Sequence, residues 1–129
     1  MNTNELILYS FPDPVRATAA ARVFSALGMA GRAVNADEVT QTVGWLAGMP
    51  GQEATPRPLV LPQLADPVMI LCGISRPRMD ELFNALRAGD CPPPDRKAIL
   101  TPTNLDWALA DLYQELGREH EEMHGKKPG

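Results

Sequence analysis

The run from Val68 to Ile74 (V-M-I-L-C-G-I) constrains the fold of this chain more than any other segment. It carries no charge and no polar alternation, the pattern of a strand buried on both faces. Such a strand needs cover above and below, which places the chain in the α/β class. Glu5 to Phe11 (E-L-I-L-Y-S-F) is a second short apolar run and reads as strand one. Pro12-Asp13-Pro14 ends it, with Asp13 placed to cap a helix that begins at Pro14, where a missing N–H costs nothing. Val15, Ala19, Val23, Phe24 and Leu27 follow at helical spacing, and Gly28 stops the helix. Arg32-Ala33-Val34-Asn35 reads as a second strand, followed by a short helix through Val43, Trp45 and Leu46 with Asp37 or Thr40 as its cap. In the second half, Ser75 caps a helix striped by Met79, Leu82, Phe83 and Leu86, and Lys97 to Leu100 forms strand four. The last helix is expected to start near Thr103, with Leu105, Leu109, Leu112 and Leu116 on one face.

The halves resemble each other. Ile7 to Phe11 aligns with Ile70 to Ile74, Pro14 with Pro77, and Arg32-Ala33-Val34 with Lys97-Ala98-Ile99; each unit closes with a tryptophan-bearing helix, Trp45 in one and Trp107 in the other. Agreement in order and spacing predicts an internal repeat. The expected organisation is one domain, 1–129, with repeat one at 5–49, a Pro-rich crossing at 50–67, repeat two at 68–122 and a flexible tail at 123–129. The apolar Leu59-Val60-Leu61 patch of the crossing is expected to lie on the body or add an edge strand. Right-handed crossovers then give a three-layer domain on a four-stranded, mainly parallel sheet in the order 2-1-3-4. An all-parallel sheet is the first choice. A mixed sheet, in which the crossing returns one half antiparallel, is the alternative.

Composition removes several functions. A net charge of −4 argues against nucleic acid and against an anionic membrane surface as partners. No apolar run approaches the roughly 20 residues that span a bilayer. Met1 to Glu5 lacks a basic n-region, so a cytoplasmic location is expected. Cys72 lies in an apolar strand, where burial makes a thiol inert, and Cys91 in a Pro-rich loop is expected to be the more exposed of the two. The loop Ser10 to Pro14 has no glycine with which to cradle a phosphate, and no G-x-S-x-G elbow occurs. No cofactor is expected.

The segment Lys97-Ala98-Ile99-Leu100-Thr101-Pro102-Thr103-Asn104-Leu105-Asp106-Trp107, with its continuation through Leu112 to Leu116 and Glu119-His120-Glu121, resembles the bacterial domain-of-unknown-function family 3783. The family pattern is K-A-x-L-T-P-T-N-x-x-W before a helix ending near E-H-E. Met69 to Leu86 also resembles its first half, so the likeness covers about residues 68–122. Gln41 to Gly48 resembles an extension common in its members. The resemblance implies a fold unit and carries no activity.

Two places are candidate ligand sites. The first is Lys97, Thr101, Thr103, Asn104 and Trp107. Either Thr101 caps a helix with Pro102 at its first position, or Thr103 caps it with Asp106 reaching back. The same helix N-terminus would offer N–H donors to an anion. The second is Gln41, Gly44 and Trp45, where glycines in a short helix imply a close approach. His120 and His124 form a literal H-E-x-x-H. It is rejected as a zinc site, since no third histidine exists and the motif lies five residues from the chain end, before Gly-Lys-Lys-Pro-Gly. His120 also continues the stripe Leu109, Leu112, Leu116, which suits packing against a second copy of the chain. The reading is a non-catalytic cytoplasmic module that binds a protein or a small polar ligand, with a homodimer as a further expectation. The alternative is a small enzyme or enzyme subunit using the Thr101–Asn104 helix N-terminus together with Arg96 and Lys97.

Overall fold

A computed structural model describes residues 5–125, with side chains to residue 121. β3 (Val68–Cys72) lies inside the sheet, and all five of its residues are buried. Its alternating side chains feed two cores. Val68, Ile70 and Cys72 pack with Leu8, Val43, Leu46, Leu109 and Leu112, whereas Met69 and Leu71 pack with Ile7, Phe24, Leu82 and Leu86. One face is therefore covered by α1 (Pro14–Ala26) and α3 (Arg76–Ala88), the other by α2 (Val43–Leu46) and α4 (Leu109–Gly125). Lack of alternation in the sequence of β3 follows from this two-sided burial.

β1 (Leu6–Ser10), β2 (Ala30–Ala33) and β4 (Arg96–Ile99) complete a four-stranded sheet in the order β2-β1-β3-β4. The expected order holds, and the sheet is mixed. β1 and β2 are parallel, β3 and β4 are parallel, and β1 meets β3 antiparallel, with Leu8 opposite Ile70. The first choice of an all-parallel sheet is corrected for a physical reason. α2 has only four residues, so the return runs through the Pro-rich crossing and not along a helix, and Val68 enters the sheet opposite Ser10. The crossing therefore enters β3 at the end where β1 leaves.

The two β-α-β units have matching dimensions. β1 and β3 have five residues each and α1 and α3 have 13 each, and in both pairs the second member starts 62 residues after the first. Asp13 and Ser75 are the caps, as the sequence suggested. Each helix ends on a left-handed residue, Gly28 (φ 73°) or Asp90 (φ 60°). The next residue turns inward, with the N–H of Met29 on the carbonyl of Phe24 and that of Cys91 on Leu86, both at 2.9 Å. Cys91 is thus fully buried, against the expectation of an exposed thiol, because it plugs the α1/α3 core as Met29 does. The structural counterpart of Pro14 is Arg76, so pairing it with Pro77 was one residue out.

Other boundaries move by a residue or two. Val34 falls after β2, and Thr42, in place of Asp37 or Thr40, caps α2. Leu59 and Val60 neither lie on the body nor form a strand; both stand in solvent. α4 continues to Gly125, past the boundary set at 123, and residues 126–129 lie outside the described ones.

The left-handed turns give a test. Gly28→Ala is expected to lower unfolding stability by about 1 kcal/mol, since Cβ is disfavoured at that φ. Asp90→Gly at the matching position is expected to cost nothing in the same urea titration.

Candidate functional site

The two candidate segments meet in a seam between the units. The N–H of Val43 donates to Trp107 O and that of Leu109 to Gln41 O, both at 2.9 Å. Gly44 donates to Leu105 O and Ala110 to Val39 O, both at 2.8 Å. The four bonds form two reciprocal pairs about a Thr42–Ala108 bridge. They occupy the leading N–H groups of α2 and α4, the donors through which a helix N-terminus holds an anion. The glycine signal in α2 has the same origin. A Cβ on Gly44 would lie 2.9 Å from Leu105 O, so the close approach is to the chain itself. Gly48 has a different reason, a φ of 74° after the helix.

α4 does not start near Thr103. Thr101 and Asn104 instead close a turn, with Asn104 N–H on Thr101 Oγ1 at 3.1 Å and Thr101 N–H on Asn104 Oδ1 at 2.9 Å. Neither expected helix cap forms, since residues 102–106 make a turn and no helix begins there; Asn104 is the reciprocal partner of Thr101. The turn ends because Trp107 and Ala108 are drawn into the seam, and helix resumes at Leu109. Asn104 Nδ2 also donates to Ile99 O on β4 at 3.0 Å. Asp106 accepts from Gln52 Nε2 at 3.1 Å, and Gln52 Oε1 accepts from the Thr42 hydroxyl at 2.9 Å. Thr103 is exposed.

Gln41 is buried, and its amide pairs with the backbone of Thr55, donating at 3.0 Å and accepting at 2.7 Å, which ties the crossing to the body. Trp45 is half-buried with Arg32 5.9 Å above its ring, and Trp107 is 38% exposed. The tryptophans are not equivalent. The reciprocal seam matches Val43 with Leu109, so Trp107 corresponds to Gln41, and Trp107 lies before α4. Lys97 crosses the Phe83 ring at 5.8 Å and donates to Pro94 O at 3.3 Å. With Thr101 it lines a shallow hollow of about 390 Å³ against Leu71, Met79, Phe83 and Ile99.

His120 Nε2 lies 3.6 Å from Asp95 Oδ2. The side chain of His124 lies outside the described residues. Among the described residues no three His, Cys, Asp or Glu side chains gather as a metal site. Burial pushes the Cys72 thiol up to about 11.

Sequence reasoning missed the charged groups at the two ends of the sheet. Arg78, in the first turn of α3, donates through Nε and Nη2 to both oxygens of buried Glu5 at 2.9 and 3.0 Å, and through Nη2 to Leu27 O at 2.7 Å. These hydrogen bonds hold the Glu5 carboxyl below its ordinary value of 4.5 and raise Arg78. At the other end Arg96 donates to Asp66 at 2.8 Å and to Tyr113 O at 3.2 Å, stacks on the Tyr113 ring at 4.4 Å, and lies across Gly117. A groove of about 450 Å³ opens beside it, lined by Arg16, Asp66, Pro67, Pro92 to Pro94, Asp95 and Arg96. The sequence signal was the pair Arg16 and Arg78, 62 residues apart, visible only once the units are aligned correctly.

These features define a two-unit α/β domain on a mixed sheet, sealed by a backbone seam. Residues 67–123, which hold β3, α3, β4 and most of α4, match the model of the family described as Domain of unknown function (DUF3783). No curated protein matches the chain. No solved structure matches it either. No helix of the described residues is long and apolar enough to cross a membrane.

Thr101→Ala and Asn104→Ala should each lower stability by about 1 kcal/mol, as for other capping interactions. The double variant should lose less than the sum, because each substitution already breaks the reciprocal pair. Full additivity in denaturant titrations would contradict the turn geometry. Glu5 gives a pH test. Its folded value is depressed, so the stability it contributes is present above 4.5 and is lost as pH falls through the folded value. Glu5→Gln should lower stability at neutral pH and flatten its acid dependence below 4.5.

Proposed function

We propose that the protein is a non-catalytic binding module of the cytoplasm that presents its Pro-rich crossing to a protein partner. The observation that carries this reading is the exposure of Leu59 (105%) and Val60 (82%) at the tip of the crossing. Pro56, Pro58 and Pro62 flank the tip and restrict its backbone, so less freedom is lost when a partner closes on it. Burying two such side chains is worth about 1.5–3 kcal/mol each. Beside them Pro12, Ala36, Val39, Leu61 and Leu64 line an apolar hollow of about 540 Å³ that suits a partner side chain. The net charge of −4 favours a protein over nucleic acid or an anionic membrane. Two free, buried thiols suit a reducing compartment. The enzyme alternative required a helix N-terminus at Thr101–Asn104, and α4 begins at Leu109.

A photo-cross-linking residue at position 63, beside the tip, should capture one defined protein in the native host, and the same residue at exposed position 22 on α1 should not. Adding Leu59→Ser and Val60→Ser should abolish the adduct while changing stability by no more than about 0.5 kcal/mol, as for surface sites. An adduct that survives these substitutions, or one between two copies of this chain, overturns the reading.

A further inference from the structure

The hollow beside the outer strand β4 joins an apolar floor to a single cation. Leu71 of β3, Met79 and Phe83 of α3, and Ala98 and Ile99 of β4 form the floor. β4 is an edge strand, and Ile99 is left 49% exposed beside the half-buried Met79 and Phe83. An aliphatic side chain in that position gains when an apolar body covers it. Lys97 is the one charged residue of the lining, and no carboxylate lines the hollow. Its Nζ lies 5.8 Å from the centre of the Phe83 ring and donates to Pro94 O at 3.3 Å, which holds the ammonium in place. That bond uses one of its three N–H donors, and the others are left. Among the described residues Lys97 has no carboxylate partner. The helix beside it adds to the positive field. Arg76, Asp80, Phe83 and Arg87 recur at helical spacing on one side of α3, where the two arginines outweigh Asp80.

We propose that this hollow binds a small amphipathic carboxylate, an aryl or short-chain alkyl acid. Its apolar body lies on Leu71, Met79, Phe83 and Ile99, and its carboxylate meets the exposed ammonium of Lys97. The volume of about 390 Å³ falls in the range of small-molecule sites, roughly 300–1,000 Å³. An inorganic anion would leave the apolar floor in water. A neutral apolar molecule would leave the ammonium without a counter-charge. The combination therefore selects an acid that carries an apolar body. Thr101 also lines the hollow; its Oγ1 accepts from the Asn104 N–H, and its own O–H remains as a second donor. This small-molecule site shares no residue with the protein contact proposed at Leu59 and Val60, and the two readings fail separately.

The probes are octanoate and hydrocinnamate, titrated into the full chain at constant ionic strength while side-chain methyl resonances are followed by NMR. Saturable shifts are expected at Leu71, Met79 and Ile99. Acetate, which has no apolar body, should give none. Lys97→Gln should weaken both acids by about fivefold, the scale of an ion pair open to solvent, and leave the neutral amide of hydrocinnamate unaffected. Ile99→Ser should weaken acid and amide alike, whereas Leu59→Ser should change neither. Lys97 and Ile99 are both exposed, so these variants are expected to fold, and melting curves check that they do. Failure of the methyl shifts to saturate with either acid overturns the proposal. So does an acid affinity that survives Lys97→Gln intact.

Discussion

The antiparallel pairing of β1 with β3 is the contact on which the rest of this structure depends. It joins two β-α-β units whose own strands are parallel, and it sets Leu8 opposite Ile70 at the centre of the sheet. An arrangement of that kind repeats each local feature on the opposite unit at the other end of the sheet. The helix stops at Gly28 and Asp90, the inward plugs Met29 and Cys91, and the arginines Arg16 and Arg78 all follow from it. So does the seam, where four backbone bonds close the N-termini of α2 and α4 against each other's loops.

The same arrangement explains why the units diverge in their chemistry. A carboxylate at position 5 closes the Arg78 end of the sheet, whereas Pro67 leaves the Arg16 end as a groove. α2 is a single turn and α4 a long helix, and the crossing that follows α2 is tied to the body by the buried amide of Gln41 on Thr55. The matched DUF3783 segment, 67–123, is one of the two units, and here β1 and the Val39–Gly44 stretch supply the partner for its inner strand and for its helix start.

Local chemistry was legible in the sequence. Residues that act through their own neighbours announced themselves: Asp13 and Ser75 as caps, Gly28 as a stop, and the uninterrupted apolar run of β3 as a strand covered on both sides. Strand order followed from the similarity of the two halves and from the rule that crossovers are short and right-handed. The reciprocal turn of Thr101 and Asn104 is a local device too, though the sequence offered both residues as ligand contacts and did not pair them.

What only the tertiary structure decided is whatever depends on a partner distant in sequence. Strand direction turned on where the crossing delivers β3, with Val68 opposite Ser10 at the end of β1. The start of α4 turned on Trp107 and Ala108 being drawn into bonds with Gln41 to Val43, which outweigh the helical propensity of Leu105 and Asp106. Cys91 is buried because the left-handed Asp90 turns it inward, whereas Leu59 and Val60, apolar by sequence, stand in solvent. Sequence by itself determined the α/β class and the strand order, since hydrophobic period and capping act within a few residues. How the charged groups of the two units are satisfied was fixed by contacts across the two-fold arrangement, where Arg78 finds Glu5 and Arg16 the carbonyl of Pro92.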